Sequence, residues 1–597
     1  MLTFFYGGTG TGKSYAMMDK IKQAAENGRK VCVIVPDQFT FEYEHMLYNH
    51  LGCALFNKGN TEVWSFSRLA ADIFRCTKAP EGMGADSTVK TAVMYKVIRL
   101  ISEREGLLFF DKQAKRASFA NTALTMLSEL IHSGVTPEVL GEILKTAPDN
   151  MRDKLTDLFL IYSEYSSELA ALGMRDILLD SRLAADMAEQ NGYFNDMCLF
   201  MDEFKSFTGD QYNMIRVMLS QCAELTVCMT SDDIGKGGFG PFTAVNETCA
   251  GLSSIAAELG KKINKVKFDD NKRYKSEELF ELSKDLLRLP SKAYNGDGGN
   301  ITLVTAPDIY GECDYICAAI CELTAADRSL RYSDIAVLSR AMNDDISVLA
   351  PHFERYNIPY YSDKKRPTGH KPLMLMVTAA LELAAEKKPS TEVLLRYAKT
   401  GLTQVSEEDI AYLENYCYTW DIDGSMWQSE FPDEKAEDIR LRLLSPINSL
   451  KKACSGKTGA QICDALRSFI GETGAEEKLL SFEGKYITEA ESAAQIRENQ
   501  WLCSQLDEIF ASLEQALTEK ISLSDFRDIF MLSAEKITLA APPDALDGVI
   551  AQQSDLARLT NPKIVFVMHA NDGIFPFITG ESSTFSERER EFFKKSD

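Results

Sequence analysis

The first eighty or so residues alternate short apolar runs with amphipathic stretches. "TFFY" reads as a strand, Lys13 to Asn27 as a helix, "KVCVIVP" as a buried strand ended by Pro36, and "TEVWSFSRLA" as a third strand turning into a helix. Such alternation predicts a parallel sheet with helices on both faces. From about Asp86 to Leu172 the pattern becomes helical throughout. "SFANTALTMLSELIHSG" and "DKLTDLFLIYSEYSSELAALG" place apolar residues at helical spacing, and Gly173 closes the second. Strand runs return with "MCLFMDEF" and "ELTVCMTSD", so an all-helical insertion is expected to interrupt one sheet domain.

The stretch from Leu289 to Asn300, "LPSKAYNGDGGN", is rich in Gly, Asn and Pro and is the clearest linker. After it, "ITLVTAP", the helix "YGECDYICAAICELTAA" and the strand "DIAVLSR" are expected to begin a second α/β unit. A long helical region follows from about Ala385 to Leu532, and strand character resumes in "GVIAQQ" and "KIVFVMHA". The same plan is thus expected twice, with no short tandem repeat.

Composition narrows the reading in three ways. A net charge of -23 over 597 residues argues against coating DNA by bulk electrostatics and leaves open a confined basic channel. No window holds about 18 uninterrupted apolar residues, and a Gly-rich loop stands where a signal peptide would be, so no membrane association and a cytoplasmic location are expected. The fourteen cysteines read as free thiols; Cys313, Cys317 and Cys321, spaced i, i+4, i+8, share a helical face suited to core packing rather than to a metal. The six histidines show no ligand spacing beyond a weak His45/His50 pair, which reads as surface.

The strongest chemical signal is "GGTGTGKS", comprising Gly7, Gly8, Thr9, Gly10, Thr11, Gly12, Lys13 and Ser14. Its glycines let backbone N–H groups turn inward around phosphate oxygens, Lys13 can reach the β and γ phosphates, and Ser14 can ligate Mg²⁺ at a helix N-terminus. Asp202 and Glu203, after the apolar strand "CLFM", suit an Mg²⁺ carboxylate and a water-orienting group; Asp-Glu pairs are also common on surfaces. Arg340, leaving "DIAVLSR", is a candidate γ-phosphate contact, the plainer reading being a surface arginine. "VPDQFTF" and "VWSFSRL" stand at strand ends, where aromatic and amide groups could stack on bases or simply pack.

These pieces, in this order, resemble a superfamily 1 helicase, and specifically the AddB/RexB family, which supplies one of the two chains of the AddAB helicase-nuclease. "VPDQFTFEYE" matches that family's motif Ia, "VWSFSRLAADIF" its motif Ib and "MDEFKSFTGDQ" its motif II. "LENYCYTWDIDGSMW" matches a segment of its second helical insertion, and "IVFVMHANDGIFP" resembles the strand and turn after motif V. The resemblance implies an α/β fold of two RecA-like P-loop parallel-sheet domains, each interrupted by a mostly helical insertion. Domain 1A would occupy 1–85 and 173–288, insertion 1B 86–172, the linker 289–300, domain 2A 301–384 and 536–597, and insertion 2B 385–535.

It further implies a chain that binds ATP and Mg²⁺, pairs with an AddA-type helicase-nuclease partner, engages single-stranded DNA and duplex ends, and serves break repair by recombination. Lys13, Glu203 and Arg340 would carry catalysis, and Ser14 and Asp202 the Mg²⁺. Gln38, Thr40, Trp64, Phe66, Arg68, Phe204 and Phe207 would face DNA, scanning for the Chi hotspot sequence with a degenerate motor. Departures are visible: "MTSDD" stands in place of motif III, and motif V is not recognisable near "LDGVIAQQSDLARL". Motif VI, the nuclease carboxylates and the 4Fe-4S cysteines are expected beyond Asp597, so weak ATPase at most and no cluster are expected of this stretch. Two rivals are a DNA-reading scaffold with a vestigial nucleotide site and a P-loop kinase acting on a small metabolite.

Overall fold

The computed structural model describes the chain except for residues 57–60, 236–239, 241, 286–292, 363–364, 482–487, 540–546, 556, 558–561, 577–584 and 597. Residues 289–292 of the expected linker, and parts of the stretch searched for motif V, therefore lie outside the described residues. The chain forms two compact units. The first comprises residues 1–81, 128–136 and 177–306; the second comprises 82–127, 137–176 and 307–597.

The first unit is built on a six-stranded sheet. We number its strands β1 (Leu2–Gly7), β2 (Val31–Ile34), β3 (Thr61–Trp64), β4 (Cys198–Met201), β5 (Glu224–Thr230) and β6 (Ile263–Phe268), lying in the order β3-β2-β4-β5-β1-β6. Every neighbouring pair is parallel. The short apolar runs are buried on both faces, as a parallel sheet covered by helices requires. Leu2, Phe4, Leu199 and Met201 enter one core, and Phe5, Val31, Val33 and Phe200 enter the other. Because all strands run the same way, Gly7, Ile34, Trp64, Met201, Thr230 and Phe268 end at one edge, with Gly7 in register with Thr230 and Phe268. β6 was not expected from the sequence; "INKVKF" mixes half-buried apolar residues with exposed Asn264, Lys265 and Lys267, as a half-covered edge strand does.

The second unit holds a four-stranded parallel sheet of β7 (Ile335–Ser339), β8 (Tyr360–Ser362), β9 (Val549–Gln553) and β10 (Ile564–Val567), in the order β8-β9-β7-β10. Cys313 and Cys317, on the helix Ile309–Ala326, are buried in its core, and Cys321 packs against it. Residues 301–306 form no strand, and Leu303 is 92% exposed. A strand exists only through ladder bonds to a neighbour, and among the described residues this segment has none.

Most of the helical stretches also belong to the second unit, though residues 128–136, with the end of the helix Phe119–His132, belong to the first. Ser87–Arg104, which Asp86 caps through the N–H groups of Thr88 and Val89, packs against the long helix Glu489–Ala516. Their contact is tied by Ser512, which donates to Asp86, while Tyr95 donates to Asp525 at 2.9 Å on the next helix, Leu523–Ala534. The helix Asp149–Ala171 ends where Gly173 adopts φ +67°, the stop its sequence announced.

Candidate nucleotide site

The loop between β1 and the helix Lys13–Glu26 is shaped by its glycines. Gly10 and Gly12 have φ +70° and +89°, a region side chains rarely enter. A Cβ on Gly7 would lie 2.1 Å from the Phe268 carbonyl oxygen, so the loop leaves the sheet only because β6 passes without a clash. Thr11 Oγ1 donates to the Gly8 carbonyl at 2.9 Å. Lys13 is buried, and its Nζ donates to the carbonyl oxygens of Gly7 at 3.0 Å and Gly8 at 2.7 Å. Burial holds the Lys13 pKa below the ordinary lysine value, opposed by Cys228, Asp202 and Glu203 nearby.

Asp202 follows β4 at the same edge. It is buried, and its carboxylate accepts from the Tyr43 hydroxyl at 3.2 Å, from the Glu203 N–H at 2.9 Å and from the Ser14 hydroxyl. Burial nonetheless raises its pKa above the usual carboxylate value. Glu203 takes φ +66°, an uncommon conformation for a side chain of its size. Its pKa is pushed up to about 7, first by the desolvating surroundings and then by the Asp202 charge, while the residue keeps an exposed side. Sequence reading thus placed Lys13, Ser14, Asp202 and Glu203, and the fold brings all four to one sheet edge.

It missed the segment that follows β6. The Lys272 N–H donates to the Gly10 carbonyl at 2.8 Å, and the Tyr274 hydroxyl meets Thr9 Oγ1 at 2.8 Å. Asn271 Oδ1 accepts from the N–H groups of Arg273 and Tyr274, fixing the turn. Arg273 lies against Gly10, where an added Cβ would come within 2.7 Å of its own, and its charge pulls down the Glu203 pKa. Two cations and a phenol therefore border the phosphate loop. The available signal was "NKRYK", a basic run two residues after the strand, following Asp269 and Asp270.

The candidate DNA residues stand along the same edge. Gln38 is half-buried in the turn Asp37–Phe39, and the buried Thr40 donates to the Asp37 carbonyl at 3.0 Å. Ser67 donates to the Asp37 carboxylate, joining the turn after β2 to the helix after β3. Trp64 is half-buried with Nε1 3.2 Å from Glu62, and Arg68 is exposed. Phe66 is buried, with ring centroids 5.6 Å from Phe204 and 6.2 Å from Phe207, which are half-buried and 4.9 Å from each other. Arg340 belongs to the second unit, where it ion-pairs with Asp555 at 2.6 Å. His45 bonds Asn49, and His50 sits 2.9 Å from Asp19, both at the surface of the first unit.

The donor set fits a nucleotide phosphate with a hard divalent cation. Loop N–H groups at a helix N-terminus and a buried lysine suit phosphate, and the Ser14 and Asp202 oxygens suit Mg²⁺. Fold and site together define an α/β protein carrying a P-loop on a parallel sheet. Residues 4–283 match the family described as "ADDB, N-terminal". Curated relatives, each named as the B subunit of an ATP-dependent helicase/deoxyribonuclease, align over 99% of the chain. The one from Clostridium botulinum (strain Loch Maree / Type A3) is 27% identical with 54% of its own length covered. Those from Clostridium novyi (strain NT) and Clostridioides difficile (strain 630) are each 28% identical with 53% covered. The chain is similar to the AddB family over these residues and spans about half the length of the curated relatives it matches. Among the described residues no helix is long and apolar enough to cross a membrane.

Proposed function

We propose that this chain binds ATP with Mg²⁺ as the nucleotide-sensing part of a cytoplasmic helicase-deoxyribonuclease complex that resects double-strand breaks. The observation that carries this reading is the convergence of Lys13, Ser14, Asp202 and Glu203 on one sheet edge. Lys13, freed from the Gly7 and Gly8 carbonyls, would meet the β and γ phosphates. Ser14 and Asp202 would hold Mg²⁺, which when bound neutralises phosphate charge. Glu203, with a pKa near neutrality, would orient and deprotonate water. Arg273 and Tyr274 border the same loop and would add a cation and an aromatic contact.

Single-stranded DNA would run past the turn at Gln38, the helix beginning at Phe66 and the Phe204–Phe207 pair. There the strand would be scanned for a Chi-type sequence with little or no translocation by this chain. The replacement of motif III by "MTSDD" supports the non-translocating part of the reading. An AddA-type partner would supply the driving motor.

The test is binding of a fluorescent ATP analogue with Mg²⁺ to the wild type and Lys13→Ala, each with and without single-stranded DNA. Micromolar binding that the variant loses and DNA shifts supports the proposal. DNA binding without nucleotide binding would instead support the scaffold reading, which the pairing of Lys13 with its own loop favours.

A further inference from the structure

The second unit carries an aromatic surface that the nucleotide site does not use. On the helix Glu407–Trp420, Ile410, Leu413 and Cys417 face the core. Tyr412, Tyr416 and Trp420, spaced four apart, form a stripe on another face. Trp420 is 63% exposed and Tyr412 36%. The Tyr416 ring lies 6.4 Å from Trp420 and rests 5.3 Å from the buried Phe431, which anchors the exposed rings to the core.

The patch is held rigidly. Asp421, at φ +49°, ends the helix immediately after Trp420. Behind it the fully buried Trp427 donates to Thr391 at 2.8 Å, and Arg440 donates to the Trp427 carbonyl at 2.8 Å while pairing with Glu437. Rigid aromatic anchors lose little conformational entropy on association, and interface cores are enriched in tyrosine and tryptophan.

Charge selects the occupant. From Glu407 to Arg442 the chain has eleven acidic and three basic side chains. Each of those cations is already engaged: Lys435 with Asp409 and over the Tyr412 ring at 4.7 Å, Arg440 with Glu437, and Arg442 with Asp409 and Asp438. A polyanion would be repelled here, whereas lysines and arginines from outside would find carboxylates and aromatic faces together. We propose that this face docks a lysine- and arginine-rich segment of a partner protein, with Trp420 as its central anchor.

The experiment uses the full chain and a fluorescein-labelled peptide of about 20 residues combining Lys, Arg and Leu, a helix-length probe. Its controls are a peptide with Glu in place of the cations and a single-stranded oligonucleotide, all read by anisotropy. The basic peptide is expected to bind in a salt-sensitive way, and Trp420→Ala and the double change Glu408→Lys/Glu430→Lys are each expected to weaken it about tenfold or more. The charge variants leave the patch packing intact, so they decide the matter if Trp420→Ala unfolds. No binding of the basic peptide below about 100 μM, equal affinity in the variants, or oligonucleotide binding through Trp420 would overturn the proposal. So would self-association of the chain that Trp420→Ala abolishes, since the occupant would then be a second copy.

Discussion

Lys13 Nζ lies 2.7 Å from the carbonyl oxygen of Gly8, so the cation proposed to meet phosphate is held by the loop that presents it. Those carbonyls compensate its buried charge, and in the proposed function a phosphate would replace them. Lys13→Met keeps the apolar stem and removes the charge. It is expected to weaken Mg²⁺-dependent ATP binding by about 100-fold, or about 3 kcal/mol, in a titration with a fluorescent analogue. Unchanged affinity would remove Lys13 from the site.

Two neighbouring glycines separate steric need from flexibility. A Cβ on Gly7 would meet the Phe268 carbonyl oxygen at 2.1 Å, whereas one on Gly8 would make only an ordinary contact with Thr11 at 3.8 Å. Gly7→Ala forces β6 or the loop to move and is expected to cost about 1–3 kcal/mol of stability. Gly8→Ala is expected to stay within about 0.5 kcal/mol of wild type. Chemical denaturation of the two variants side by side checks the contrast.

The parallel sheet of the first unit was legible because its strands are short apolar runs between amphipathic stretches, and the site was legible because Gly7 to Ser14 and Asp202–Glu203 follow strands. β6 was not, because three of its six residues are Asn264, Lys265 and Lys267 and its pairing with β1 spans the whole unit. Arg273 and Tyr274 reach the loop only through that pairing, so the local pattern offered no reason to place them there. At Ile301–Thr305 β-branched residues favour extended backbone, yet no strand forms, because strand formation depends on a neighbour that local propensity does not report.

Tyr43 is buried and donates to Asp202 at 3.2 Å. Removing a hydrogen bond to a charged group costs about 1.5–3 kcal/mol. Tyr43→Phe is therefore expected to lower the unfolding free energy measured in urea by an amount in that range. It should also raise the Mg²⁺ concentration needed for nucleotide binding, because Asp202 becomes harder to ionise. A fall in stability with an unchanged Mg²⁺ requirement would detach Asp202 from the metal.

Phe66 and Arg68 stand two residues apart and should behave oppositely. Phe66 is buried against Phe204 and Phe207, so Phe66→Ala is expected to cost about 3–5 kcal/mol of stability. Arg68 is exposed, with only its backbone N–H tied to Ser65. Arg68→Ala is expected to leave the melting temperature unchanged, weaken single-stranded DNA binding and lower the salt slope by about 1. Equal DNA affinity in Arg68→Ala would remove that helix from the strand's path.

Glu203 gives the pH prediction its sign. Its pKa is raised from the ordinary carboxylate value of 4.5 to about 7 by desolvation and by Asp202. Between those values the folded chain binds more protons at this site than the unfolded chain, so this contribution to stability is full below 4.5 and is lost as pH rises through about 7. Glu203→Gln removes the titration, so its stability profile should be flatter than wild type across that window. Mg²⁺ favours the ionised carboxylates and competes with the protons. Wild type should therefore need less Mg²⁺ for nucleotide binding at pH about 8 than at about 6, a difference that narrows in Glu203→Gln. Parallel denaturation and Mg²⁺ titrations across this range check both. A wild-type Mg²⁺ requirement independent of pH would mean that Glu203 and Asp202 are already ionised, and that neither holds a proton the metal must displace.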